Sequence, residues 1–175
     1  HASDTGEIAF DDVRVPAENL LGGENMGFFY IMQHFASERL GMALIGISQA
    51  QLAINLALNY MAEREVFGRP ISKFQVLRHR IAQMSSEVMS ARAFVYTLYK
   101  QYDQGDYIIK EAAMAKLTIS ECFVENSLDA VRVHGGRGYM TEFGVERDLR
   151  DAVGGVLYGG TSDIQRNLIA GLLGL

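Results

Sequence analysis

One stretch of this chain leaves little choice of fold. From Phe74 to Tyr102 the apolar residues Phe74, Leu77, Ile81, Met84, Val88, Ala91, Val95, Leu98 and Tyr102 fall at alternating steps of three and four. Four sustained heptads predict a helix with one apolar seam, packed in a left-handed antiparallel bundle. The chain has only 2 prolines in 175 residues. Proline removes a helical donor and clashes with the preceding turn, so its scarcity favours long helices.

The flanking segments fit the same architecture. From about Met26 to Arg64, small residues (Gly41, Ala43, Gly46, Ala50, Ala53, Ala57) alternate with Leu, Ile and Met. That mixture predicts a helix covered nearly all round and closely packed on its neighbours. The loop Val66-Phe67-Gly68-Arg69-Pro70 ends it. Asp103-Gln104-Gly105-Asp106 reads as a turn, and a third helix follows with Ile109, Ala113, Leu117, Val124, Leu128 and Val131 on its apolar face. It stops at His134-Gly135-Gly136-Arg137-Gly138-Tyr139. A shorter helix near Glu146–Val153 leads to Tyr158-Gly159-Gly160-Thr161-Ser162, and the last helix, from Asp163, carries a capping box in Ser162 and Gln165. The expected fold is all-α, an antiparallel four-helix bundle.

The N-terminus differs. Ile8, Phe10, Val13 and Val15 interleave with Glu7, Asp11, Asp12 and Arg14 before Pro16. This is a short β pattern whose sheet partners are not in the chain. The reading divides the chain at residues 1–25 and 26–175. The absence of an initiating Met, with His1-Ala2-Ser3 in its place, suggests a piece of a longer protein.

Composition removes several function classes. Hydrophobic residues are 49% and charged residues 21%, which excludes intrinsic disorder. A net charge of −5, from 16 basic and 21 acidic residues, argues against a broad nucleic-acid surface. No run approaches the ~18 apolar residues of a membrane helix. Cys122 is the only cysteine, so no internal disulfide forms and a reducing compartment is expected. Its apolar helical setting suits a small buried thiol better than a nucleophile.

Three motifs stand out: Arg64-Glu65-Val66-Phe67-Gly68-Arg69-Pro70-Ile71 with Phe74-Gln75; Arg132-Val133-His134-Gly135-Gly136-Arg137-Gly138-Tyr139; and Tyr158-Gly159-Gly160-Thr161-Ser162-Asp163-Ile164-Gln165-Arg166. Each sets glycines at a helix end beside arginine, hydroxyl or amide groups. Glycine admits close approach of a ligand to backbone N–H groups, and arginine clamps phosphate with paired hydrogen bonds. Together they suit a phosphate-bearing cofactor. Taken singly, each is equally a helix cap or a tight turn.

In order and spacing these motifs resemble the C-terminal part of acyl-CoA dehydrogenases. The resemblance runs from Glu38-Arg39 through Glu63-Arg64, Phe67-Gly68, Ile71 and Phe74-Gln75. It continues with Ala115-Lys116, His134-Gly135-Gly136, Gly138-Tyr139, Arg150-Asp151-Ala152 and Gly160-Thr161-Ser162 with Ile164-Gln165-Arg166. Phe10-Asp11-Asp12-Val13 with Val15-Pro16 looks like the last strand of that family's middle β-domain. The resemblance implies a C-terminal bundle domain, FAD at a subunit boundary, a homodimer or homotetramer, and an acyl-CoA substrate. It implies an electron-transfer flavoprotein as acceptor, with oxygen left open, and a location in the bacterial cytoplasm or mitochondrial matrix. Arg64, Phe74 and Gln75 would contact the FAD of a neighbouring subunit, and Gly135 and Gly136 its pyrophosphate. Thr161 and Asp163 would touch the flavin of their own subunit. Arg132 departs from the glutamine that many members carry, and would serve the phosphates instead.

The implied reaction is α,β-dehydrogenation of the thioester, which needs a base for the α-proton. Most members place a glutamate directly before the Gly-Thr of the third motif, where this chain has Gly159. A minority, isovaleryl- and long-chain enzymes among them, place it before an arginine on the first bundle helix. Here that residue is Glu38, with Arg39 and Gly160 at the thioester end of the substrate. The competing readings are a helix-surface Glu38 with Gly159 marking lost activity, a flavin-dependent oxidase or oxygenase on the same scaffold, and a non-catalytic helical interaction module. The isolated 175-residue piece is itself expected to be inactive.

Overall fold

A computed structural model describes residues 6–175; the first five positions of the 1–25 segment lie outside the described residues. Three long helices, α1 (Gly27–Glu63), α2 (Gln75–Asp103) and α3 (Ile109–His134), are followed by two short ones, α4 (Val145–Gly155) and α5 (Ser162–Leu172). The short connections between the long helices make neighbours antiparallel, as expected for a bundle.

α2 follows its heptads closely. Ile81, Met84, Val88, Ala91, Val95 and Leu98 are buried, while Phe74 caps the helix half-buried and Tyr102 is exposed at its far end. α1 runs for 37 residues, but it is not covered all round. Its buried side is a stripe, Ala36, Leu40, Ala43, Ile47, Ala50, Ile54, Ala57 and Met61, and its first turns carry exposed Phe28, Phe29, Ile31 and Met32. Those turns edge two open grooves, one shared with Tyr102, Tyr107 and Ile108 and the other with Leu21 and Gly22. Small residues on the stripe let α3 approach closely. A Cβ on Gly46 would sit 2.8 Å from Ile119 Cγ2.

By length and mean hydropathy, 1.4 over its most apolar window, α1 could cross a bilayer. Its stripe is instead packed against α3 and α2.

α3 is the centre of the fold and touches the other four helices. Its fully buried set is not the expected face. Of the expected residues only Ala113 is fully buried, whereas Ala112, Ala115, Ile119, Phe123, Ala130 and Val133 are joined inside by Lys116, Ser120, Asn126, Ser127 and His134. A helix enclosed on several sides loses the two-faced pattern of a surface helix. Polar side chains enter by bonding locally: Ser120 Oγ donates to Lys116 O at 2.6 Å, and Asn126 Nδ2 to Cys122 O at 2.8 Å.

The loop after α1 is a minimal hairpin. β1 (Glu65–Val66) pairs antiparallel with β2 (Arg69–Pro70), and Phe67 and Gly68 both have positive φ, 54° and 76°. That is the geometry of a two-residue type I′ turn. The Arg64 carbonyl accepts from Ile71 N–H at 2.8 Å and closes its base.

Among the described residues, 8–15 pair with no strand, Ile8, Phe10, Val13 and Val15 are exposed, and the two-stranded sheet joins only β1 and β2. One local reading is corrected. At α5 the cap is Thr161, whose hydroxyl accepts from Ile164 N–H at 3.3 Å. Ser162 Oγ has no partner, and Gln165 turns back to the preceding loop instead of closing a capping box.

Candidate functional site

Most of the expected site residues gather in two places. The first is an open groove of about 560 Å³ where the C-terminal ends of α1 and α3 meet the hairpin. It brings Arg64, Arg132, Gly135 and Gly136 together and adds Arg137. Gly135 takes a positive φ of 61°, and a Cβ on Gly135 or Gly136 would meet nothing within 4 Å. Packing therefore does not require glycine at position 136, and the backbone there stays open to a visitor. His134 closes one wall. Its ring stacks on Tyr60 at 4.3 Å, and its Nδ1 lies 2.7 Å from Ala130 O. That carbonyl can only accept, so Nδ1 is the donor in this contact.

The groove is electropositive. Arg64 and Arg137 pair with no carboxylate among the described residues. Arg132 is tethered, since its guanidinium donates to Asp129 at 3.0 Å, and Asp129 also pairs with Arg80. Phe74 and Gln75 do not line this groove. They start α2 beside the hairpin, with the Arg69 guanidinium 4.4 Å above the Phe74 ring and Phe67 at its edge. Gln75 Nε2 lies 3.3 Å from His79 Nε2.

The second place joins α1, α3 and the α4–α5 loop. Glu38 lines a groove of about 730 Å³ with Tyr30, Ile31, His34 and Gly22, and it has no ion-pair partner among the described residues. Arg39, the next residue, faces inward and is buried. Its guanidinium lies 5.3 Å from the Phe35 ring centroid, and its Nε has no hydrogen-bond partner. Burial lowers the pKa of Arg39, and the Glu38 charge works the other way.

One turn beyond Glu38, Met42 reaches the loop. A Cβ on Gly159 would overlap the Met42 sulfur. Gly159 and Gly160 both have positive φ, 65° and 92°, which glycine adopts without penalty. Beyond them, Thr161 is exposed as the α5 cap, and Asp163 is exposed and paired with Arg166 at 2.9 Å.

Two residues matter here in ways the sequence did not indicate: Lys116 was given no role, and Gln165 was read only as part of a helix cap. Lys116 is wholly buried and donates from Nζ to Gly160 O at 2.8 Å. Gln165, equally buried, donates from Nε2 to Gly159 O at 3.1 Å and Gly160 O at 3.0 Å. Lys116 shares an inward stripe with Ala112, Ile119 and Phe123, a register that the apolar pattern of α3 did not reveal. Burial lowers its pKa; Glu121 opposes that and Arg39 adds to it. The two places are well separated, because the 19 residues of α3 from Lys116 to His134 correspond to roughly 28 Å of helix.

A helical bundle with an arginine-and-glycine groove at one end, and at the other an unpaired glutamate one turn from the methionine that meets a glycine loop, defines a narrow class of fold and site. The family profile of the acyl-CoA dehydrogenase C-terminal domain matches residues 25–173. The human mitochondrial short-chain specific acyl-CoA dehydrogenase is 41% identical over 171 residues, 98% of this chain and 42% of that protein. The pig mitochondrial long-chain specific enzyme is 37% identical over 169 residues, 97% of this chain and 39% of that protein. The crystal structure of an acyl-CoA dehydrogenase from Geobacillus kaustophilus superposes with a TM-score of 0.92 at 36% identity, covering 95% of this chain and 44% of that one. The chain belongs to the acyl-CoA dehydrogenase family, whose members use FAD. It spans less than half the length of these relatives.

Proposed function

We propose that this chain is the C-terminal bundle domain of an FAD-dependent acyl-CoA dehydrogenase, with residues 26–175 as the domain and 1–25 as the end of a preceding β-domain. The observation that carries the assignment of the base is the contact between Met42 and Gly159. The space that a side chain at position 159 would fill is taken by a thioether, one turn along α1 from Glu38. With position 159 closed to a side chain, the place of Glu38 one turn before Met42 supports it as the source of the carboxylate.

Glu38 takes the α-proton of the acyl thioester. An α-proton is only weakly acidic, so the base must be aimed and kept from water. FAD, when bound, supplies the acceptor for the β-hydrogen as hydride, and the product is an α,β-unsaturated acyl-CoA. Arg39 and Gly160 serve the thioester end. Arg64, Arg132, Gly135 and Gly136 fit the pyrophosphate, with Phe74 and Gln75 beside them, while Thr161 and Asp163 serve the flavin end. The unpaired guanidinium groups of Arg64 and Arg137 and the open backbone at Gly136 support that fit. The roughly 28 Å along α3 between the two places favours one cofactor meeting groups from two copies of the chain, in a homodimer or homotetramer. The acceptor is an electron-transfer flavoprotein. The family includes mitochondrial and bacterial proteins, which supports a matrix or bacterial cytoplasmic location.

The test is anaerobic flavin bleaching by a panel of acyl-CoAs in the full-length protein. Glu38→Gln is expected to abolish bleaching while FAD stays bound. Undiminished reduction in that variant would overturn the assignment. A wild-type protein that no acyl-CoA reduces, but that consumes oxygen with another reductant, would replace the dehydrogenase with an oxidase or oxygenase.

A further inference from the structure

The turn between α4 and α5 is held from behind by two side chains that solvent does not reach. Lys116 Nζ and Gln165 Nε2 converge on the Gly160 carbonyl at 2.8 and 3.0 Å, and Gln165 also reaches the Gly159 carbonyl at 3.1 Å. Both residues are 0% exposed. Burying an ammonium group is costly, and a methionine would fill a similar volume without that cost. The hydrogen bond, rather than packing, accounts for a lysine at this position.

The consequence follows from peptide geometry. In a trans peptide the C=O and the following N–H point in opposite directions. With the carbonyls of Gly159 and Gly160 drawn inward, the N–H groups of Gly160 and Thr161 face away from Lys116 and Gln165. Neither donates to a partner among the described residues. A turn of two glycines at positive φ has many alternative conformations open to it, so its orientation needs an external restraint. Met42 packs against the same turn from α1, and the two donors supply the directional part of the restraint.

We propose that Lys116 and Gln165 form a two-donor clamp that fixes the peptide orientation of the Gly159–Gly160 turn and keeps its outward N–H groups aimed at the thioester end of the acyl-CoA. They are positioning residues, acting through the turn rather than on the substrate, and this role rests on the dehydrogenase reading above. Because the turn would act on the reacting end, the clamp governs the limiting rate of bleaching and leaves cofactor and acyl-CoA binding largely alone.

The experiment uses Lys116→Met, Gln165→Met and the double variant in the full-length, FAD-loaded protein. Amide hydrogen exchange of the segment spanning residues 156–166 reads the clamp directly, and single-turnover bleaching at saturating acyl-CoA reads its effect. Each single variant is expected to exchange at least ~10-fold faster in that segment and to lose about 10- to 100-fold in limiting rate, as for a group displaced by about 1 Å. FAD content and half-saturating acyl-CoA concentration should stay within about two-fold. The double variant should be little worse than the poorer single one, because both donors hold the same carbonyl. Unchanged exchange in the folded single variants overturns the clamp. Faster exchange with an unchanged limiting rate overturns its positioning role. If either variant fails to fold, the other decides. If no acyl-CoA bleaches the wild-type protein, the dehydrogenase reading fails and takes the positioning role with it, while the exchange rates still decide whether the clamp exists.

Discussion

The sulfur of Met42 lies where a side chain on residue 159 would begin. That contact couples the first helix of the bundle to the loop before its last, and it has a cost that can be measured. Gly159→Ala must accept a φ of 65° and displace the thioether, so it should destabilise the protein by about 1–3 kcal/mol. Met42→Ala in the same background should return part of that loss, because the two residues share one volume. Chemical denaturation of both singles and the double checks it. Strict additivity would show that Met42 and residue 159 do not compete.

Legibility in the sequence followed the number of sides on which each element is enclosed. α2 buries one seam, so its 3–4 spacing identified Ile81 through Leu98 correctly. α3 is enclosed by four helices. Its inward positions include Lys116, Asn126 and His134, which apolar periodicity cannot select. The segment from Ile8 to Val15 has a strand's alternation, but a strand exists only through hydrogen bonds to a neighbour, and none is offered among the described residues. In the candidate site, glycines at helix ends pointed to the arginine groove, because glycine and arginine carry their chemistry in their identity. The hold of Lys116 and Gln165 on Gly160 was hidden, since it joins residues 44 and 5 apart in sequence.

Cys122 should be inert at neutral pH. It lies half-buried between α2 and α3, beside Glu87 and Glu125. Burial first, then these two carboxylates, push its thiol up to about 11, against the opposing hydrogen bond from Asn126. Its thiolate at pH 7 is then about 100-fold rarer than that of a free cysteine. Iodoacetamide labelling followed by mass spectrometry should be slow at pH 7 and should rise as pH approaches 11. Labelling at neutral pH as fast as for glutathione would contradict this.

Asp148 should make stability depend on acid pH in a defined sense. It is buried in the first half of α4. Burial raises its carboxyl above the ordinary range; Arg147 pulls it back, and Asp151 and Glu146 push it further up. A folded-state value above the unfolded one means that the folded protein holds the proton more tightly. The stability this contributes is fully present below about pH 4 and is lost as pH rises through the raised value. Asp148→Asn keeps the neutral form at every pH. It should therefore raise Tm at pH 7, with the gain fading as pH falls towards 4. A Tm gain that persists unchanged at acid pH would place its origin elsewhere.

The arginines of the groove should differ in what they contribute to cofactor retention. Arg64 has no carboxylate partner among the described residues, so its guanidinium is free to face phosphate. Arg132 is already committed to Asp129, and it must loosen that pair to reach an anion. A charge-assisted hydrogen bond to phosphate is worth about 1.5–3 kcal/mol. In the full-length protein, Arg64→Ala should weaken FAD binding about 10- to 100-fold, more steeply at low salt than at high. Arg132→Ala should weaken it less, because Arg80 still neutralises Asp129 after the change. Equilibrium dialysis against FAD, with flavin absorbance per chain as the readout, separates the two. Equal losses would mean that the Asp129 tether does not restrain Arg132, and no loss at Arg64 would remove the groove from the cofactor site.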